Sequence, residues 1–77
     1  MPQVRDVTAS PGVGVVVAAL RRLGGWQRTA AVAKACGLTH DWALQMLHEA
    51  VGLGKAEMRR PSHSVYEWRA VSREAGG

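Results

Sequence analysis

The sequence has one cysteine, no long apolar run and no compact set of metal-ligand residues, and each shortage removes a class of protein. Cys36 alone can neither close an internal disulfide nor build a multi-cysteine zinc site, so packing must hold the fold, and the usage fits a reducing cytoplasm. The longest apolar stretch, Gly12 to Leu20, is nine residues and runs straight into Arg21 and Arg22. A membrane-spanning helix needs about 20 apolar residues, so no membrane partner is expected. Those two arginines also stand where a secretory signal would carry its small-residue cleavage site, and the chain reads as cytoplasmic and unprocessed. His40, His48 and His63 are too scattered for a short metal signature. The glycine-containing GVGVVV segment precedes any strand instead of following one, as a phosphate-cradling loop would. No metal, no cofactor and no catalytic site is expected.

Size points the same way. A chain of 77 residues makes one small domain, and such a domain buries only about 60% of the surface its unfolded chain exposes, which argues against a deep substrate cavity. Its 47% hydrophobic and 21% charged residues sit close to globular averages, so disorder, collagen and coiled-coil readings fail on composition. Ten Lys and Arg against six Asp and Glu leave a net charge of +4, which favours a polyanionic partner.

Residues 1–9 lack periodicity and residues 72–77 are polar and glycine-ended, so both are expected to be frayed tails around a folded segment at 10–71. Ser10 and Pro11 have the chemistry of a helix start, a hydroxyl cap followed by a residue whose missing N–H is unneeded there. Val13, Val16, Val17, Leu20 and Leu23 then recur at steps of three and four, although a valine run also suits a buried strand. Gly24 and Gly25 end that helix. Thr29 is placed to cap a second one, with Val32, Ala33 and Cys36 inward and Gly37 as its stop. Thr39 caps a third helix whose core stripe is Ala43, Leu44, Leu47, Ala50 and Val51. Beyond Gly52 and Gly54 the period changes to two. Ala56 and Met58 alternate with Lys55, Glu57 and Arg59, and after a break at Pro61 to Ser64, Tyr66, Trp68 and Ala70 alternate with Val65, Glu67 and Arg69. Two such runs make a hairpin.

The order helix, helix, glycine turn, helix, hairpin is carried by GGWQRTAAVAKACGLTHDWALQMLHEAVGLGKAEMRR and then VYEWRAV, and it resembles the winged helix-turn-helix superfamily over about residues 12–71. Its most specific parts are the ACGLT turn and the spacing from Leu47 through Gly54 to Tyr66 and Trp68. The resemblance implies a mostly α fold with a small β-hairpin (α+β), with three helices and a wing of two strands, or of three if a short strand forms at Trp26. It further implies a third helix that enters the DNA major groove and wing side chains that reach the backbone or minor groove. Gly54, Lys55 and Trp68 also match the Z-form nucleic-acid-binding subset of winged helices. That subset's paired Asn and Tyr are absent, their positions holding Leu44 and His48, so its specificity is not carried over.

Charge is distributed unusually for such a protein. From Thr39 to Val51 there is no Lys or Arg and there are two acids, so this helix carries −2 and the rest of the chain +6. Any contact with duplex DNA should therefore be led by the wing. Arg59, Arg60 and Arg69, with Lys55, His63 and Arg28, are the candidate backbone anchors, and Gln45 and His48 the candidate base readers. The competing reading of each is an ordinary solvated surface. Trp42 and Met46, one turn apart and flanked by Glu49, are candidates for a protein interface, with a peripheral core position as the alternative for Trp42. Two functions follow. The leading one is a duplex-DNA-binding transcriptional regulator, which as a small winged helix is also a candidate homodimer. The second is a protein-interaction module, an inhibitor or adaptor of phage type, that uses the third helix to hold a protein partner. A non-catalytic subdomain of a larger enzyme complex ranks third.

Overall fold

Pro11, with its fixed φ, opens the first helix, α1 (Pro11–Leu23), in a computed structural model that describes residues 11–71. The tails expected at 1–9 and 72–77 and the Ser10 cap lie outside the described residues. The valine run folds as helix. Val13, Val16, Val17 and Leu20 are buried while Gly14, Val15 and Ala18 are exposed, a period that a strand could not produce. Leu23, expected on the buried face, is exposed because it occupies the last turn, where Gly24 and Gly25, with φ of 75° and 67°, lead the chain away from the core.

The next helix, α2 (Thr29–Cys36), begins one residue earlier than the expected Thr29 cap would place it. Arg28 is the capping residue and makes no side-chain cap bond, so Thr29 is the first helical residue and is buried. Its hydroxyl has another partner: Trp68 Nε1 donates to Thr29 Oγ1 at 2.8 Å. Gly37 takes the left-handed conformation at φ 70°. There its N–H donates to the carbonyl of Lys34 and that of Leu38 to the carbonyl of Ala33, which satisfies two carbonyls that a helix end otherwise strands.

Thr39 starts α3 (His40–Gly52) as expected, its Oγ1 accepting from the Trp42 N–H at 3.1 Å. The buried stripe is Ala43, Met46, Leu47 and Ala50, while Leu44 and Val51 are half-buried. It is rotated toward α1 by comparison with the expected stripe. The cause is Gly12: a Cβ there would lie 2.8 Å from Met46 Sδ, so the two helices approach closely enough to cover the methionine.

The hairpin strands are β2 (Ala56–Ser62) and β3 (Val65–Ala70), and a short strand β1 (Gln27–Arg28), directly after Trp26, pairs with β3 from the other side. All pairings are antiparallel, in the order β1-β3-β2. The three helices and three-stranded sheet are the α+β arrangement expected. Register sets Ala56 opposite Ala70, Glu57 opposite Arg69, Met58 opposite Trp68 and Arg59 opposite Glu67, with an irregularity between Arg59 and Ser62. Pro61 lies in that irregular stretch of an edge strand, where its missing N–H costs no ladder bond. Trp68, fully buried, joins the sheet to Val16, Leu20, Val32 and Leu47 in one core. Among the described residues, no helix is long and apolar enough to cross a membrane.

Candidate nucleic-acid interface

The exposed surface of α3 has two edges with different neighbours. His40, Leu44 and His48 stand four residues apart and so share one face, which looks toward the hairpin. The His48 ring meets Trp68 and Tyr66 edge-on, with centroids 5.0 Å and 6.0 Å away. It is therefore seated against the sheet and is less available as a base reader than its exposed position in the helix suggests. Gln45 is exposed, on the solvent side between the two edges. On the opposite edge Trp42 is 47% exposed, its indole Nε1 beside Gly12, which makes it a surface residue and not a core one. Met46, expected beside it on the surface, is 3% exposed and belongs to the core, since Gly12 lets α1 close over it. Glu49 is half-buried on the Trp42 edge.

The hairpin cations separate by face. Alternation and register put Glu57, Arg59, Glu67 and Arg69 together on the side away from Trp68. Arg59 Nε donates to Glu67 Oε1 at 2.7 Å, and Arg69 donates to Glu57 Oε1 through Nε at 3.0 Å and Nη2 at 2.6 Å. Both guanidinium groups also lie over the Trp26 ring, 4.4 Å and 4.5 Å from its centroid. Two of the expected phosphate anchors thus hold carboxylates and an indole within their own domain. These are surface pairs of about 0–1 kcal/mol each, so they define the local charge more than the stability. Lys55 lies elsewhere again, lining a shallow pocket with Val13, Val17 and Arg21 of α1.

Arg60 points to the other side. Its guanidinium lies 4.9 Å over the ring of Tyr66, and its Nη2 donates to the carbonyl of His63 at 2.7 Å, which ties the hairpin tip together. Tyr66 in turn lines a groove of about 260 Å³ between α3, the start of α2 and the hairpin. Leu44, Val65 and Tyr66 supply its apolar wall, and Arg28, His40 and Ser64 its polar one. No carboxylate lines it. The N-terminal end of α2, which has no side-chain cap, opens on the same space through Arg28, Thr29 and Ala30 and adds the positive end of a helix dipole.

Of the residues singled out in the sequence, Arg28 lines this groove and Arg60 and His48 touch its Tyr66 ring, while Arg60 and His63 together line a separate surface at the hairpin tip, and Arg59, Arg69 and Lys55 face other ways. Tyr66 and Leu44 were expected in the core and His40 was given no binding role. Their alternation and helical spacing gave the face correctly, but each lies toward the open end of it. Trp26, expected as a link, is the platform under Arg59 and Arg69.

Cys36 faces α1 from α2, its Sγ 3.8 Å from the Val15 carbonyl oxygen. Burial pushes its thiol above the ordinary value, with a smaller opposing pull from Arg22, so it behaves as a small apolar group and not as a thiolate nucleophile. Among the described residues no group of three His, Cys, Asp or Glu side chains could hold a metal ion. No protein-family profile matches the chain, and no characterised protein matches it at a significant level.

Proposed function

We propose that the protein is a small winged-helix module that binds nucleic acid, with duplex DNA as its ligand and the groove between α3 and the hairpin as the line of contact. One observation carries the reading: Arg28 lines a groove whose lining has no carboxylate, Arg60 lies over the ring of Tyr66, itself a lining residue, and among the described residues neither arginine is in an ion pair. His40 adds a donor on the same side. Of the anionic α3 residues, Glu49 is turned away from it by the helical spacing, and Asp41, although three residues from Leu44, does not line it. Phosphate contacts of this kind position a protein on a duplex without specifying sequence, and Gln45 is the exposed α3 side chain best suited to an adenine edge.

Fluorescence anisotropy on a labelled duplex, across a salt series, tests this. Arg28→Ala and Arg60→Ala should each weaken binding and lower the slope of log K against log salt by about 0.9, the value per phosphate contact in duplex DNA. Absence of binding at low salt, or binding indifferent to both substitutions, would refute it.

A second reading rests on Trp42, which exposes 47% of its surface on a helix carrying acids and no cations. Exposed tryptophan is a common anchor of protein interfaces. On that reading Trp42→Ala abolishes a protein complex while leaving circular dichroism and duplex binding unchanged.

A further inference from the structure

The groove is the wrong size for a backbone alone. At about 260 Å³ it lies close to the lower end of the range, about 300–1,000 Å³, of sites that hold small molecules, and offers more room than a single phosphate contact needs. Its walls are also the wrong chemistry for phosphate alone. Leu44, Val65 and the half-buried Tyr66 make one side apolar and aromatic, the kind of wall that receives a base. His40 and Ser64 bring hydrogen-bonding groups to the same space, and Arg28 brings the charge that a phosphate needs. Apolar wall, aromatic ring, polar edge and a cation together match a nucleotide.

We infer that the groove holds a single unpaired nucleotide, its base against Tyr66, Leu44 and Val65 and its phosphate on Arg28. A base inside an intact duplex cannot enter, because its faces are covered by its neighbours. A bulged or single-stranded base enters at little cost. The inference rests on the nucleic-acid reading and sharpens its substrate: the preferred ligand is DNA with an unpaired base at or beside the site of phosphate contact. Specificity then comes from the state of pairing more than from sequence, which suits an α3 with no Lys or Arg.

The experiment compares two labelled duplexes that differ only by one unpaired nucleotide, with anisotropy at fixed salt as the readout. The bulged duplex should bind about tenfold more tightly, within the range expected for stacking one base on an aromatic side chain. Ala30→Phe fills the groove from an exposed position on α2. It should bring the bulged duplex to the affinity of the paired one. Tyr66→Phe should keep the preference and Tyr66→Leu should remove it, with circular dichroism reporting that each variant is folded. Equal affinity of the wild type for both duplexes would overturn the inference while leaving nucleic-acid binding intact, and failure of both to bind at low salt would overturn the two together. Displacement of the bulged duplex by an acidic peptide containing one Trp, at concentrations where a free nucleoside monophosphate has no effect, would overturn it in favour of a protein ligand.

Discussion

Substituting Thr29 by valine would remove one oxygen atom from the centre of the domain, and its cost follows from the surroundings. Trp68 is fully buried, and its indole N–H donates to Thr29 Oγ1 at 2.8 Å. Valine has almost the same shape as threonine, so the cavity stays filled and the N–H loses its acceptor without gaining water. An unsatisfied buried donor costs about 1–3 kcal/mol. In a domain of this size each kcal/mol corresponds to about 4–8 °C in Tm, so Thr29→Val should melt about 4–24 °C lower. Thr29→Ser keeps the acceptor and loses one buried methyl, about 0.8 kcal/mol by the transfer scale. Thermal and urea unfolding should therefore rank the proteins wild type, Ser, Val. In a Trp68→Phe background, where there is no donor to strand, the Thr29→Val penalty should largely vanish. A valine variant as stable as the serine variant, or an unchanged penalty in the Phe background, would refute the assignment of that energy to the hydrogen bond.

Three further outcomes are expected. Thr39→Ala removes the acceptor for the Trp42 N–H and should cost about 0.5–2 kcal/mol by urea unfolding. Glu57→Gln combined with Glu67→Gln releases Arg69 and Arg59 from their carboxylates, so duplex affinity should rise and its salt dependence steepen, with stability changed by only about 0–1 kcal/mol per pair. Because burial raises the Cys36 thiol in the folded chain, the folded form retains its proton where the unfolded chain has begun to lose it. That contribution to stability is complete below the ordinary thiol pKa and is lost as pH rises through the raised one, and a disulfide reagent at mildly alkaline pH should react faster with the urea-unfolded chain than with the native one.

How far each residue could be assigned from sequence depended on the range of the interaction that places it. Val13, Val16, Val17 and Leu20 share a helical face because of a period of 3.6, and Trp68 faces inward with Tyr66 because strands alternate. Thr39 caps a neighbour three positions on, and Gly37 takes a left-handed turn that its lack of a side chain makes inexpensive. All of these are local. By contrast, Met46 could be classed as surface or core only once the α1–α3 distance was known, and that distance is permitted by Gly12, 34 positions away. Thr29 finds its partner 39 positions along the chain, which made a core acceptor out of a residue with every local mark of a cap.

The candidate site divides along the same line. Sequence by itself determined that the charge is uneven, with the third helix at −2 and the remainder at +6, because composition along a helix needs no knowledge of its neighbours. It also determined which face of each strand a cation occupies. Only the tertiary structure decided which cations remain available. Register sets Arg59 against Glu67 and Arg69 against Glu57, and the pairing of β1 with β3 brings Trp26 under both guanidinium groups. Arg28 and Tyr66, 38 positions apart, meet at the groove because the start of α2 and the hairpin converge there. Periodicity is a property of a segment, whereas pairing and grooves are properties of how segments approach, and the second is fixed by the packing of the whole core.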